Sequence, residues 1–97
     1  MQSLHPFHLA IPVNNLEQAK NFYGDILNCS EGRSSDTWID YNFFGHQLVI
    51  HLKSEHTPSS FNLVDGKEVP IPHFGVVLDF DDWYIMREKL EKEKIDF

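Results

Sequence analysis

The chain has 97 residues, enough for one domain with one modest core, and its 41% apolar and 13% aromatic content is that of a globular protein. Eight Lys plus Arg against fifteen Asp plus Glu leave a formal charge of −7, which argues against nucleic acid and anionic membranes as partners, since both need a basic patch. A single cysteine, Cys29, excludes an intrachain disulfide framework and fits a reducing cytosol.

The opening MQSLHPFHLAIPV has no basic leader, and histidines and prolines break its apolar run. It therefore reads as neither a signal peptide nor a membrane span, and a cytoplasmic setting is expected. Residues 7–13 (FHLAIPV) predict a strand with Phe7, Leu9, Ile11 and Val13 on one face and His8, Ala10 and Pro12 on the other. Asn14-Asn15 offers a helix N-cap, and Leu16, Ala19, Phe22, Tyr23, Ile26 and Leu27 follow at helical spacing. Asn28 suits the left-handed conformation that ends a helix.

A short strand is expected between Cys29 and Ser35. Thr37–Phe43 and Gln47–Lys53 alternate on either side of a Phe44-Gly45 turn, which predicts a hairpin. The first 53 residues thus read β-α-β-β-β. Residues 54–70 are polar and carry Pro58, Asp65-Gly66 and Pro70, so a long loop or linker is expected there. His73–Phe80 (HFGVVLDF) predicts a second leading strand. Asp81 or Asp82 would then cap a helix with Trp83, Met86 and Leu90 as its buried stripe and a charged outer face, paired for example as Glu88 and Lys92.

The two strand-helix units repeat. His8-Leu9-Ala10-Ile11 matches His73-Phe74-Gly75-Val76 at an offset of 65 residues, with a small residue two places after each histidine. Ala10 and Gly75 leave space beside the imidazoles, on the face that is not apolar core. A lone histidine on a strand is usually a surface residue. Two at equivalent positions of a repeat point to a pair of ligands for a divalent metal ion. His5, His46 and His56 are expected in surface roles, with His46 pointing away from His51 by strand parity.

At these residues the chain resembles the vicinal oxygen chelate superfamily, which includes glyoxalase I, bleomycin-resistance proteins and extradiol dioxygenases. The resemblance implies an α+β fold of paired βαβββ modules. Module one would take about 5–53, a linker 54–71, and a partial module two 72–97, all within one domain. It also implies metal ligands on the first and last strands of each module, hence His8, His73 and His51. Only 26 residues remain from Pro72, so the second module is expected to stop after its strand and helix, without the glutamate that such proteins supply from their final strand. Glu88, Glu91 and Glu93 sit on the predicted outward helix face and do not replace it. A fragment of a longer protein is the favoured explanation, ahead of a partner chain that completes the barrel or a degenerate site.

The positions that serve glutathione in glyoxalase I hold Pro12 and Glu55 here, which disfavours a glutathione adduct. His51 resembles instead the acid-base histidine of extradiol dioxygenases. The expected function is a divalent-metal-dependent enzyme acting on a small molecule with vicinal oxygens, dioxygenase-like first and glyoxalase-like second. Fe(II) or Mn(II) is favoured over Zn or Ni, because imidazoles with a carboxylate leave open octahedral positions. His51 would take a proton from a catechol-like hydroxyl. Gln47 shares its face, and Tyr41 or Trp38 is expected to line the same cavity. The alternatives are a metal-free, bleomycin-resistance-type binding protein with the acidic charge suiting a cationic guest, and an inactive domain with an open sheet edge. A homodimer that completes the sheet between chains is expected.

Overall fold

A computed structural model describes residues 4–53, 60–64 and 67–96. β1 (His8–Val13) leads into α1 (Leu16–Lys20), which continues as a π-helical stretch over Asn21–Ile26. β2 (Ser30–Ser34), β3 (Trp38–Phe43) and β4 (His46–Leu52) follow. These strands form one sheet in the order β1-β4-β3-β2, with β1 parallel to β4 and the other pairs antiparallel. The expected β-α-β-β-β order is present, including the short strand after Cys29.

Local chemistry sets the boundaries. Asn15 is the N-cap, in extended backbone, and its Oδ1 accepts from the Gln18 N–H at 2.9 Å. The helix ends at Asn28, with φ +59°, as the sequence predicts. Phe44 and Gly45 both have positive φ (51° and 90°), the pattern of a primed two-residue hairpin turn. Asn42 Oδ1 accepts from the Gly45 N–H at 2.8 Å and pins that turn.

The core lies between the helix and one face of the sheet. Tyr41, Leu48 and Ile50 are at most 2% exposed, and Ala19 and Ile39 pack with them. Strand alternation delivers these residues to the helix side, with Leu9, Ile11, Val13 and Phe43 around them. The helix widens where it meets the aromatic part of this core. The Leu27 N–H donates to the Phe22 carbonyl and the Cys29 N–H to the Tyr23 carbonyl, both at 2.9 Å. Tyr23 lies against Tyr41 and Phe43, with ring centroids 6.0 and 6.4 Å away. A straight α-helix is what spacing alone predicts over this stretch. The wider turn is a tertiary effect.

The second half departs from the sequence reading in three places. Inside the expected linker, β5 (Ser60–Val64) and β6 (Lys67–Ile71) pair antiparallel as a separate hairpin. Asp65-Gly66, between two short runs that carry Phe61, Leu63 and Val69, is a hairpin signal that outweighs the polar composition. Residues 73–79 form no strand, because an alternating run becomes a strand only when a neighbour completes its ladder and no strand pairs with it. Finally, α2 (Phe80–Lys92) is capped by Asp79, not Asp81 or Asp82; Asp79 Oδ1 accepts from the Asp82 N–H at 2.9 Å. It buries no residue: Trp83 stays 48% exposed, and Met86 and Leu90 are half-buried. Its ion pair is Arg87–Glu91, at 3.2 Å.

Candidate functional site

The helix covers one face of the four-stranded sheet. Parity assigns the other face to His8, Ala10 and Pro12 of β1, Gln47, Val49 and His51 of β4, and Trp38, Asp40 and Asn42 of β3. Register arranges them in rows across the strands. His8, Gln47 and Asn42 form the first, Ala10, Val49 and Asp40 the second, and Pro12, His51 and Trp38 the third. Val49 is the buried member of this face, while His8, Gln47, Asn42 and His51 are exposed. A shallow groove of about 290 Å³ runs over it, lined among others by Ser30, Gly32, Asp40, Asn42 and Gln47.

His8 therefore stands at the head of β1 on an open, polar surface, and its neighbour in register is Gln47. The Gln47 amide donates from Nε2 to Asp40 Oδ2 at 3.0 Å. His51 shares the face but sits four residues along β4 from Gln47, roughly 13 Å at the usual strand rise. The sheet does not bring His8 and His51 side by side.

His73 lies in the extended segment before α2 and is exposed. Its Nδ1 is 2.8 Å from the Pro70 carbonyl oxygen. A carbonyl only accepts, so Nδ1 carries the proton and the neutral ring presents Nε2 as a free donor atom. The next residues, Phe74 to Val77, line a cavity of about 200 Å³ with Phe7, Leu9, Phe43 and Leu48. The segments that carry His8 and His73 thus meet at this cavity on the helix side of β1, opposite the face that carries the His8 side chain, so this contact does not bring the two imidazoles together.

Imidazole nitrogens are suitable ligands for a divalent ion, and His73 has the backbone-anchored tautomer common among metal-binding histidines. Among the described residues, however, no three His, Cys, Asp or Glu side chains converge on one point. The donor atoms have the right chemistry. A complete set is not assembled within them.

The remaining candidates separate clearly. Trp38 is on the open face as expected, whereas Tyr41 is on the helix side and belongs to the core, because odd and even positions of β3 face opposite ways. Burial, with Glu31 and Asp25 nearby, pushes the Tyr41 hydroxyl up to about 12, and among the described residues its Oη has no hydrogen-bond partner. Burial also raises the Cys29 thiol, which disfavours the reactive thiolate. His46 is half-buried; its Nδ1 accepts from the Phe7 N–H at 3.1 Å and its ring rests 4.7 Å from that of Phe7. His5 is exposed, and Glu55 and His56 lie outside the described residues. Sequence reasoning missed Asp40 and Asn42 as members of this face. Extending the parity of His51 across the hairpin to Trp38 would have found both.

No helix among the described residues is long and apolar enough to cross a membrane. A search of curated proteins finds no match. Among solved structures, a glyoxalase/bleomycin resistance protein/dioxygenase from Alicyclobacillus acidocaldarius is similar over 93% of this chain, at 30% identity and a TM-score of 0.71. The chain spans 64% of that protein's length. A putative glyoxalase family protein from Bacillus anthracis shares the fold at 16% identity and a TM-score of 0.54, covering 97% of this chain and 71% of the other. The family profile matches residues 5–97, and the chain belongs to the Glyoxalase/Bleomycin resistance protein/Dioxygenase superfamily.

Proposed function

We propose that the chain contributes to a divalent-metal-dependent enzyme acting on a small molecule with vicinal oxygens, dioxygenase-like before glyoxalase-like. The observation that carries this reading is His8, exposed at the head of β1 on a polar sheet face that no helix covers. His8 and His73 are the proposed ligands from this chain, and the remaining donors come from outside its described residues. Fe(II) or Mn(II) suits such a set, with Zn or Ni as further options. When bound, the ion would supply Lewis-acid stabilisation of charge on the paired oxygens. His73 holds its Nε2 ready through the Pro70 carbonyl, and the groove over β3 and β4 receives the body of the molecule. His51 is separated from His8 by the register, which suits a proton carrier for a substrate lying along the face better than a third ligand. A cytoplasmic setting and a homodimer that completes the sheet between chains are part of the same proposal.

The test is the metal content of the purified protein. A stoichiometric divalent ion that is lost in the His8→Ala, His73→Ala double variant is expected. No ion, or equal content in the double variant, would overturn the reading. The absence of a converging three-donor group among the described residues favours one second reading, a metal-free binding protein whose −7 charge suits a cationic guest. Binding of a cationic aromatic compound that is undisturbed by chelator would select it.

A further inference from the structure

The first row of the open face contains two amides, and their hydrogen bonds leave them in different states. Asn42 Oδ1 is engaged by the Gly45 N–H at 2.8 Å, so that side chain is committed to the turn. Gln47 uses its nitrogen, which donates to Asp40 Oδ2 at 3.0 Å. A carboxylate oxygen accepts and does not donate, so this bond fixes which end of the Gln47 amide faces Asp40. Among the described residues the oxygen Oε1 has no hydrogen-bond partner, and it belongs to the residue in register with His8 on the neighbouring strand. Gln47 is exposed, at the groove, and a partner for Oε1 can reach it from solution.

We propose that Gln47 is a specificity-determining residue of this face: its amide oxygen accepts a hydrogen bond from a ligand hydroxyl, and Asp40 is the positioning residue that holds the amide in that orientation. The inference rests on the reading of this face as a small-molecule site and names what the site selects. A ligand with a hydroxyl proton to donate satisfies Oε1. One whose vicinal oxygens are both alkylated has no proton to offer Oε1 and forgoes that hydrogen bond, leaving the exposed oxygen to water. Asp40 touches Gln47 and acts through it.

The experiment measures binding of catechol and of 1,2-dimethoxybenzene to the full chain by titration calorimetry, in wild type and in Gln47→Met, Asp40→Ala and Asp40→Asn. Wild type is expected to prefer catechol by about fivefold, the scale of one net hydrogen bond. Gln47→Met should reduce that preference to within twofold. Asp40→Ala should lower it, Asp40→Asn should restore most of it because the Asn oxygen still accepts, and Asp40→Ala should have no effect in the Gln47→Met background. An unchanged preference in Gln47→Met, or an effect of Asp40→Ala that persists without Gln47, overturns the assignment while leaving the small-molecule reading intact. Binding of neither compound to wild type sinks that reading and the assignment with it. All three substitutions are at the surface of a sheet whose core is on the other side, and circular dichroism checks that the variants are folded.

Discussion

Tyr41 is 1% exposed and its hydroxyl has no partner among the described residues, an arrangement that costs on the order of 1–3 kcal/mol. Tyr41→Phe should therefore raise the unfolding free energy by about 1 kcal/mol in urea titrations, and a clear loss would show that the hydroxyl is satisfied after all. The same group sets an alkaline limit. Its folded pKa of about 12 lies above the ordinary value of 10.0, so between these values the folded state holds a proton that the unfolded chain has released. The stability this contributes is fully present below pH 10 and is lost as pH rises toward 12. In Tyr41→Phe the alkaline decline should be shallower; Tyr23, also raised by burial, accounts for what persists.

At the scale of elements, the two halves of the chain differ in what holds them. β1, α1, β3 and β4 share a core, so Leu48→Ala should cost roughly 2–5 kcal/mol, as large-to-small changes at sealed sites do. α2 buries nothing and depends on its own caps and pairs. Asp79→Ala should reduce its helicity, measurable as lost amide protection in the first turn of α2, without moving the denaturation midpoint of the sheet. This contrast also explains what the sequence could reveal. The first half is legible because each period matches a surface that is actually buried: Leu9, Ile11 and Val13 of β1 and Leu16, Ala19 and Tyr23 of the helix pack into one cluster. The alternation of Phe74, Val76 and Leu78 is just as regular, yet it makes no strand without a partner. The spacing of Trp83, Met86 and Leu90 likewise makes no core without a sheet beneath it. Periodicity reports which face a segment would bury, and only the rest of the fold decides whether it does. The site was legible to the same degree. Parity sets His51 and Gln47 on one face of β4, and only the family resemblance joins His8 to them; the register that sets Gln47 beside His8, and His51 roughly 13 Å away, depends on pairing between β1 and β4, which no local pattern specifies.

At the scale of the molecule, the unpacked helix leaves its mark on size and surface. The radius of gyration is 14.9 Å, against about 12.5 Å for a compact domain of this length. Val77 is fully exposed, with Phe80 at 72% and Ile85 at 65%, so three large apolar side chains in and just before α2 stand in water. Sedimentation at increasing concentration should therefore show association, weakened by Val77→Asp combined with Ile85→Glu; a monomer at all concentrations would contradict this. His8 and His73 are the residues proposed to hold a divalent ion. Mn(II) titration followed by electron paramagnetic resonance tests this most directly. His8→Ala and His73→Ala should each weaken binding at least tenfold and His51→Ala should leave it unchanged. Equal affinity in wild type and both ligand variants would contradict the account.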